Sequence, residues 1–231
     1  TVYPLVKDNN TQYTPLEKLV SGSNESVLTT PSYLTKNATV GANLRVYKTN
    51  DVYRDLIAQG VSSDAIVFMS IHTDAISAHA KGMMIYYPDA SLRRSSLTKS
   101  GFPYNEFTEI RADPTIEIET DKVGSQDRSY TLAEHIMASA PAHAVAVHEQ
   151  QGIRGRINRH GAYVPAVIRW NPVPAKILVE AGNCNNRDDA RNLLSPKYRQ
   201  HVAETLAAGI HAYYTPQSTP QSTSPNVGGQ Q

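Results

Sequence analysis

A single cysteine, Cys184, stands among 231 residues, so no disulfide can form within the chain. That leaves the compartment open, because many exported bacterial enzymes carry no disulfides. Charge of one sign is also lacking. The formal net charge is +1, which provides no electrostatic footprint for nucleic acid or an anionic membrane surface. No apolar run approaches the ~20 residues of a membrane-spanning helix, and these residues contain no signal-peptide pattern. The common short motifs of catalysis are missing too. His148-Glu149 is followed by Gln150-Gln151-Gly152, so the zinc helix His-Glu-x-x-His is absent. There is no Gly-x-Ser-x-Gly, phosphate loop or dinucleotide fingerprint. The length suits one α/β domain of ordinary size.

Two stretches share one grammar. Ala65-Ile66-Val67-Phe68-Met69-Ser70-Ile71 is apolar and then meets His72-Thr73-Asp74. Ala175-Lys176-Ile177-Leu178-Val179 meets Glu180 and then Ala181-Gly182-Asn183. Continuous apolar runs of this length predict buried strands of a parallel sheet covered on both faces. Ligands gather at the carboxyl ends of such strands, so His72 and Glu180 are the candidate chemical pair.

Along the rest of the chain, residues 2–6 read as a short strand, with Pro4 favouring an edge or a strand start. Residues 9–43 are polar, with one short helix around Pro15-Leu16-Glu17-Lys18-Leu19 as an alternative to a long loop. A helix is expected over about 41–59, with Leu44, Tyr47, Val52, Leu56 and Ile57 as its apolar stripe and Gly60 as its stop. A strand follows at 81–88. Residues 89–128 break the pattern and read as an insertion over one face, with the alternating Thr115-Ile116-Glu117-Ile118-Glu119 suggesting a hairpin. A helix is expected from Ser129, as N-cap, to about His148, kinked or split at Pro141. Residues 165–170 read as a strand, and a last helix runs from Pro196 to about Tyr213 with Ser195 as N-cap. The tail 215–231 repeats Thr-Pro-Gln-Ser and has nothing apolar to bury. Strands separated by helices give an α/β fold, with a mostly parallel sheet flanked by helices in a single domain over 1–214.

His72 taken alone could be a core or surface histidine satisfied by a backbone carbonyl. Its place at a strand end sets a neutral imidazole where a metal could be held. Glu180 carries the stronger signal, because a carboxylate after Ile-Leu-Val is costly to bury without a partner or a task. The plain alternative is an ion pair with an arginine such as Arg169. The other histidines offer less: His143 and His148 lie five apart, which suits one helix face poorly, and His160 is a loop residue. Cys184 has no base at a fixed spacing and is the weaker nucleophile candidate.

With these residues in view, the chain resembles a family. Phe68-Met69-Ser70-Ile71-His72-Thr73-Asp74-Ala75 resembles the Ser-Ile-His-Ala-Asn-Ala motif of zinc-dependent N-acetylmuramoyl-L-alanine amidases, which cleave the bond between muramic acid and the stem peptide of peptidoglycan. Lys81-Gly82-Met83-Met84-Ile85-Tyr86-Tyr87 is similar to the strand that follows there. Pro174-Ala175-Lys176-Ile177-Leu178-Val179-Glu180-Ala181-Gly182-Asn183-Cys184-Asn185-Asn186 resembles the family's Pro-Ala-Val-Leu-Val-Glu-x-Gly-Phe-Leu-Ser-Asn block, and Leu194-Ser195-Pro196-Lys197-Tyr198 through Gly209-Ile210 resembles its final helix. The likeness runs in order from about 41 to 214.

The resemblance implies one zinc ion, with His72 as the later histidine ligand and Glu180 as the carboxylate that handles the proton of the bound water. It implies peptidoglycan as substrate and a place of action in the periplasm or outside the cell. Two family features are not in this sequence: the opening strand that ends in Asp-Pro-Gly-His-Gly-Gly, and the glutamate ligand after it. Asn183, Cys184 and Asn185 also stand where the family has Phe-Leu-Ser. The chain starts at Thr1 without an initiator Met. The expectation is a chain that begins after the family's first strand and helix. Two rivals remain: a wall-binding or regulatory homologue without the metal, and a zinc amidohydrolase acting on another substrate.

Overall fold

In the computed structural model, residues 1–8, 25–158 and 161–215 are described. The expected helix near Pro15, His160 and most of the 215–231 tail lie outside them. At the start, β1 (Val6–Asp8) pairs antiparallel with β2 (Glu25–Val27), which pairs in turn with β3 (Tyr33–Leu34). Helix α1 (Ala38–Ala58) follows, with Asn37 Oδ1 accepting from the Val40 N–H at its start. Gly60, at φ +85°, stops it as expected. Its buried face is Gly41, Leu44, Val46, Tyr47 and Leu56, while Ile57 of the expected stripe is exposed.

The central sheet has four strands in the order β4-β11-β5-β8. They are β4 (Val67–Asp74), β5 (Met84–Tyr86), β8 (Ile153–Arg154) and β11 (Ala175–Asn183). The pairs β4–β11 and β5–β8 are parallel and are joined by the antiparallel pair β11–β5. The α/β class therefore holds, with a mixed sheet. All nine residues of β11 are buried, as its apolar run predicts. β4 is different: it is at the edge, Phe68 is its one buried residue, and Ile71 is 60 % exposed. The strand also continues through His72 to Asp74.

Alternation along β11 sorts its side chains into two layers. Ala175, Ile177, Val179 and Ala181 pack with Leu132, Ala133 and Ile136 of α3 (Lys122–Ser139) and with Tyr198, Val202 and Leu206 of α6 (Pro196–Tyr214). Leu178 faces the other way, into a layer with Phe68, Tyr86, Val167 and Ile168. Lys176 and Glu180 share that second face.

Residues 89–128 do not merely lie over the domain. They contain β6 (Leu97–Thr98), α2 (Thr108–Ala112) and β7 (Thr115–Ile116), with β6 and β7 paired antiparallel, which is the hairpin-like element that the alternation suggests. Leu97, Phe107, Ile110 and Ile116 form one core with Leu44, Val46 and Tyr47 of α1. The Tyr47 hydroxyl donates to the Pro114 carbonyl at 2.7 Å, and burial pushes its pKa up to about 12.

Three expectations need correction. α3 starts at Lys122 with Asp121 as N-cap, and Ser129 lies inside it, where its hydroxyl accepts from the Lys176 N–H at 3.0 Å. A helix with more residues to bury against β11 prevails over the later start. α3 ends at Ser139, where a 3-10 turn with Pro141 replaces the expected continuation, so His148 is in a loop. Residues 165–170 form the short helix α4 (Ala166–Arg169). A four-residue apolar run cannot tell helix from strand by periodicity, and Asn171 decides by closing the turn onto the Val167 carbonyl and the Val173 N–H. The remaining elements are β9 (Ile157–Asn158), paired with β10 (Ala162–Tyr163), and α5 (Arg187–Leu194). Ser195 caps α6 and Pro196 opens it, as expected.

A buried charge cluster ties 89–128 to β11. Arg93 and Lys176 are both fully buried and share the Glu119 carboxylate. Arg93 also donates to the carbonyls of Arg169 at 2.7 Å and Asn171 at 3.3 Å. Burial would raise the Glu119 carboxyl, but the Arg93 hydrogen bond and the Lys176 charge outweigh it and hold it at about 2. Burial, then the Arg93 charge, pulls the Lys176 ammonium down to about 7. Two cations thus depend on one carboxylate. Removing one partner of a buried pair costs about 3 kcal/mol or more when the other charge is left uncompensated. Loss of Glu119 strands both cations, whereas loss of Lys176 leaves Glu119 paired with Arg93. Glu119→Gln should therefore lower unfolding stability in urea by about 3 kcal/mol, and Lys176→Met by under ~1 kcal/mol. Equal losses in the two variants would contradict this account of the cluster.

Candidate active site

The parallel register of β4 and β11 sets His72 opposite Glu180, and β5 sets Met84 on the other side of Glu180. Side chains of paired residues share a face. Ser70, His72 and Asp74 of β4 therefore line up beside Glu180. The register shifts between Glu180 and Asn183, so Asn183 comes to lie opposite Asp74. The exposed Cys184 contributes through its backbone N–H, which donates to the Asp74 carbonyl at 2.8 Å.

Glu180 is 9 % exposed, and its Oε2 is buried with no hydrogen-bond partner among the described residues. Burial, with the Asp74 charge adding to it, raises its carboxyl from 4.5 to about 7. The ion-pair alternative does not hold: Arg169 donates Nε–H to the Val164 carbonyl at 3.0 Å and stacks on Trp170 at 5.0 Å. The His72 pKa is lowered, first by burial and then by the Arg45 charge, against the pull of Glu25. Its Nε2 lies 2.8 Å from the Ser70 hydroxyl. The site thus joins a neutral imidazole to a carboxyl poised to gain and lose a proton near neutrality, as general acid–base work requires.

The residues past Glu180 shape the mouth, and sequence reasoning marked them only as departures from the family. Asn183 Nδ2 donates to the carbonyls of Ser77 at 2.9 Å and Ala80 at 2.7 Å. Asn185 holds the Ile76 carbonyl at 2.9 Å and Asn186 the Ala78 carbonyl at 2.8 Å. Asp189 Oδ2 accepts from the N–H groups of Gly82 and Asn183, at 2.8 and 2.9 Å. Gly82 has φ +87°, and a Cβ there would sit 2.7 Å from the Val147 carbonyl carbon. The run of asparagines after a strand is the signal for this clamp, since side-chain amides readily replace backbone partners in loops. A groove of about 430 Å³, lined by Asp64, Asp127, Arg128 and Tyr213, contains neither His72 nor Glu180.

The zinc implied by the resemblance needs about three protein ligands. Among the described residues, no group of three histidine, cysteine, aspartate or glutamate side chains could hold a metal ion. His72 is one member of such a set, and by itself it does not fit the ion.

The raised Glu180 pKa has a consequence for stability. Below pH 4.5 the carboxyl is protonated whether the chain is folded or not. Between 4.5 and 7 only the folded state keeps the proton, so stability falls as pH rises through that window and the loss is complete above it. Glu180→Gln lacks this slope. Relative to wild type it should gain about 2 kcal/mol between pH 4.5 and pH 8 in denaturant titrations, with allowance for water reaching the crevice. A variant that instead loses ground toward pH 8 would mean that a cation pairs with Glu180.

The family model described as N-acetylmuramoyl-L-alanine amidase matches residues 26–212. The chain is 25 % identical over 189 residues to the N-acetylmuramoyl-L-alanine amidase AmiC of Escherichia coli, covering 77 % of this chain and 44 % of that protein. It is 28 % identical over 186 residues to AmiC of Neisseria meningitidis serogroup B, covering 75 % and 42 %. It therefore spans less than half the length of these two relatives. Among solved structures, it is similar to the N-acetylmuramyl-L-alanine amidase Ami1 of Mycobacterium smegmatis with a TM-score of 0.48 and 18 % identity, over 75 % of this chain and 60 % of that one. With the family match covering most of its 231 residues, the chain belongs to the N-acetylmuramoyl-L-alanine amidase family.

Proposed function

We propose that this chain hydrolyses the amide bond between N-acetylmuramic acid and the L-alanine of the peptidoglycan stem peptide. The observation that carries the reading is the buried, unpaired Glu180 carboxyl set opposite His72 in a chain of this family. In the ionised form, Glu180 takes a proton from a water molecule whose oxygen bonds to the muramoyl carbonyl carbon. As the carbon–nitrogen bond breaks, the same proton passes to the alanine nitrogen. A carboxyl titrating near 7 can do both at neutral pH. The dry, unpaired setting that raises its pKa also strengthens its interaction with the water.

Zinc belongs to this reading through the resemblance, with His72 as the imidazole that would hold it. The described residues do not complete the set, and the proton transfers above are derived from Glu180 alone. The same reading assigns 1–214 to the amidase unit and 215–231 to a tail, and puts the work outside the cytoplasm, in the periplasm or the extracellular wall. The incomplete ligand set also favours a second reading, a homologue that binds the wall without cleaving it. Such a protein would co-sediment with peptidoglycan and release nothing from it.

Muropeptide release tests the proposal. Glu180→Gln keeps the size of the side chain and removes the titrating proton. Turnover should fall by roughly 10²–10⁴, the usual contribution of general acid–base catalysis, with wall binding retained. The wild-type rate should rise with pH through a midpoint near 7. Release by Glu180→Gln at the wild-type rate would remove Glu180 from the mechanism.

A further inference from the structure

Two hydrogen-bond donors converge beside the site. His148 Nδ1 accepts from the Gln151 N–H at 3.3 Å, so a neutral His148 carries its proton on Nε2. That Nε2 lies 3.5 Å from Nη2 of Arg154. Both atoms then bear hydrogens, and neither can accept from the other. Arg154 donates its Nε–H to the Gln151 carbonyl at 2.9 Å and also hydrogen-bonds the Tyr86 hydroxyl beneath it on β5, yet no carboxylate among the described residues forms an ion pair with it. A pair of facing donors, one of them charged, calls for an anionic oxygen.

The surroundings point the same way. His148 lines a groove of about 350 Å³ with His79, Lys81 and Gln150, where the exposed Glu149 is the one acidic residue. The loop on its other side has its carbonyls at Ile76, Ser77, Ala78 and Ala80 occupied by the amides of Asn183, Asn185 and Asn186. Those oxygens are therefore engaged and do not oppose an anion. Register ties this place to the reacting centre. Glu180 pairs with Met84, Tyr86 is two residues further along β5 on the same face, and Tyr86 pairs with Arg154. Two strand spacings and two residues separate Arg154 from Glu180, about 10 Å across the sheet and 7 Å along it. An extended peptide covers about 3.3–3.6 Å per residue, so that span matches two or three residues once the reach of the arginine is counted.

We propose that Arg154 and His148 form a carboxylate subsite that recognises a free carboxylate of the stem peptide, two or three residues from the scissile amide. The inference rests on the amidase reading and deepens it: Arg154 sets specificity while Glu180 handles the proton.

The test uses two synthetic N-acetylmuramoyl pentapeptides, one with free carboxylates and one with the same groups as carboxamides. Binding is read by calorimetry in the Glu180→Gln background and turnover in the wild-type background. The free-carboxylate peptide should bind roughly tenfold tighter, as a charge-assisted hydrogen bond provides. Arg154→Ala should erase that difference, raising KM for the carboxylate peptide with kcat little changed and leaving the carboxamide peptide unaffected. Arg154→Lys should restore part of the preference, which loss of folding would not permit. No preference in the parent protein, or the same preference in Arg154→Ala, would overturn the proposal. If neither peptide is hydrolysed while the preference persists, the subsite stands and the amidase reading fails.

Discussion

The site depends on one alignment, the parallel pairing of β4 with β11. It sets His72 against Glu180 and holds Ser70 and Asp74 on the same face. A slip of β11 by one residue would turn Glu180 into the layer now filled by Ile177 and Val179, on the face opposite His72. Burial on both faces of β11 fixes that register, because Ile177 and Val179 pack against α3 and α6 while Leu178 packs with Phe68 and Ile168. The irregularity after Glu180 then releases the chain from the ladder. The asparagines that follow can turn to the 76–80 loop instead of continuing the sheet.

The same strand solves the problem of buried charge in two opposite ways. Lys176, near its start, is enclosed with Glu119 and Arg93 and is satisfied by them. Glu180, four residues on and on the same face, has no partner among the described residues. The first arrangement joins residues 89–128 to the core and so supports the end of the sheet away from the site. The second costs stability at neutral pH, a cost expected of a group kept for reaction and not for structure. On the proposed reading, the paired cluster at one end of β11 offsets the unpaired carboxyl at the other.

Much of this was legible in the sequence where a single physical rule dominates. The run 175–183 was readable as a buried strand because nearly every position is apolar or small, and Glu180 stood out for the same reason. Ser195-Pro196 announced α6 through capping chemistry, and Gly60 announced the end of α1. Where several rules compete, local pattern was not enough. Residues 165–170 carry no periodicity, and a tertiary hydrogen bond from Asn171 settles their helix. The start of α3 depends on packing against β11, which Ser129 as a plausible cap could not reveal. The edge position of β4 follows from strand order, which a run of apolar residues does not encode. His72 and Glu180 were found as strand-end residues. The Asn183–Asn186 clamp shows in the sequence only as a run of asparagines, because the carbonyls it holds lie about a hundred residues away, and the Arg154–His148 pair depends on how a loop folds back onto β8.

The central claim is that Glu180 is buried without a cation and therefore holds its proton to near neutrality. Its own titration tests this most directly. With glutamate labelled by carbon-13 at the side-chain carboxyl, the resonance that disappears in Glu180→Gln can be followed across pH. The account predicts a midpoint near 7. A midpoint at or below 4.5 would show that a positive charge holds the carboxylate ionised, and would contradict the account.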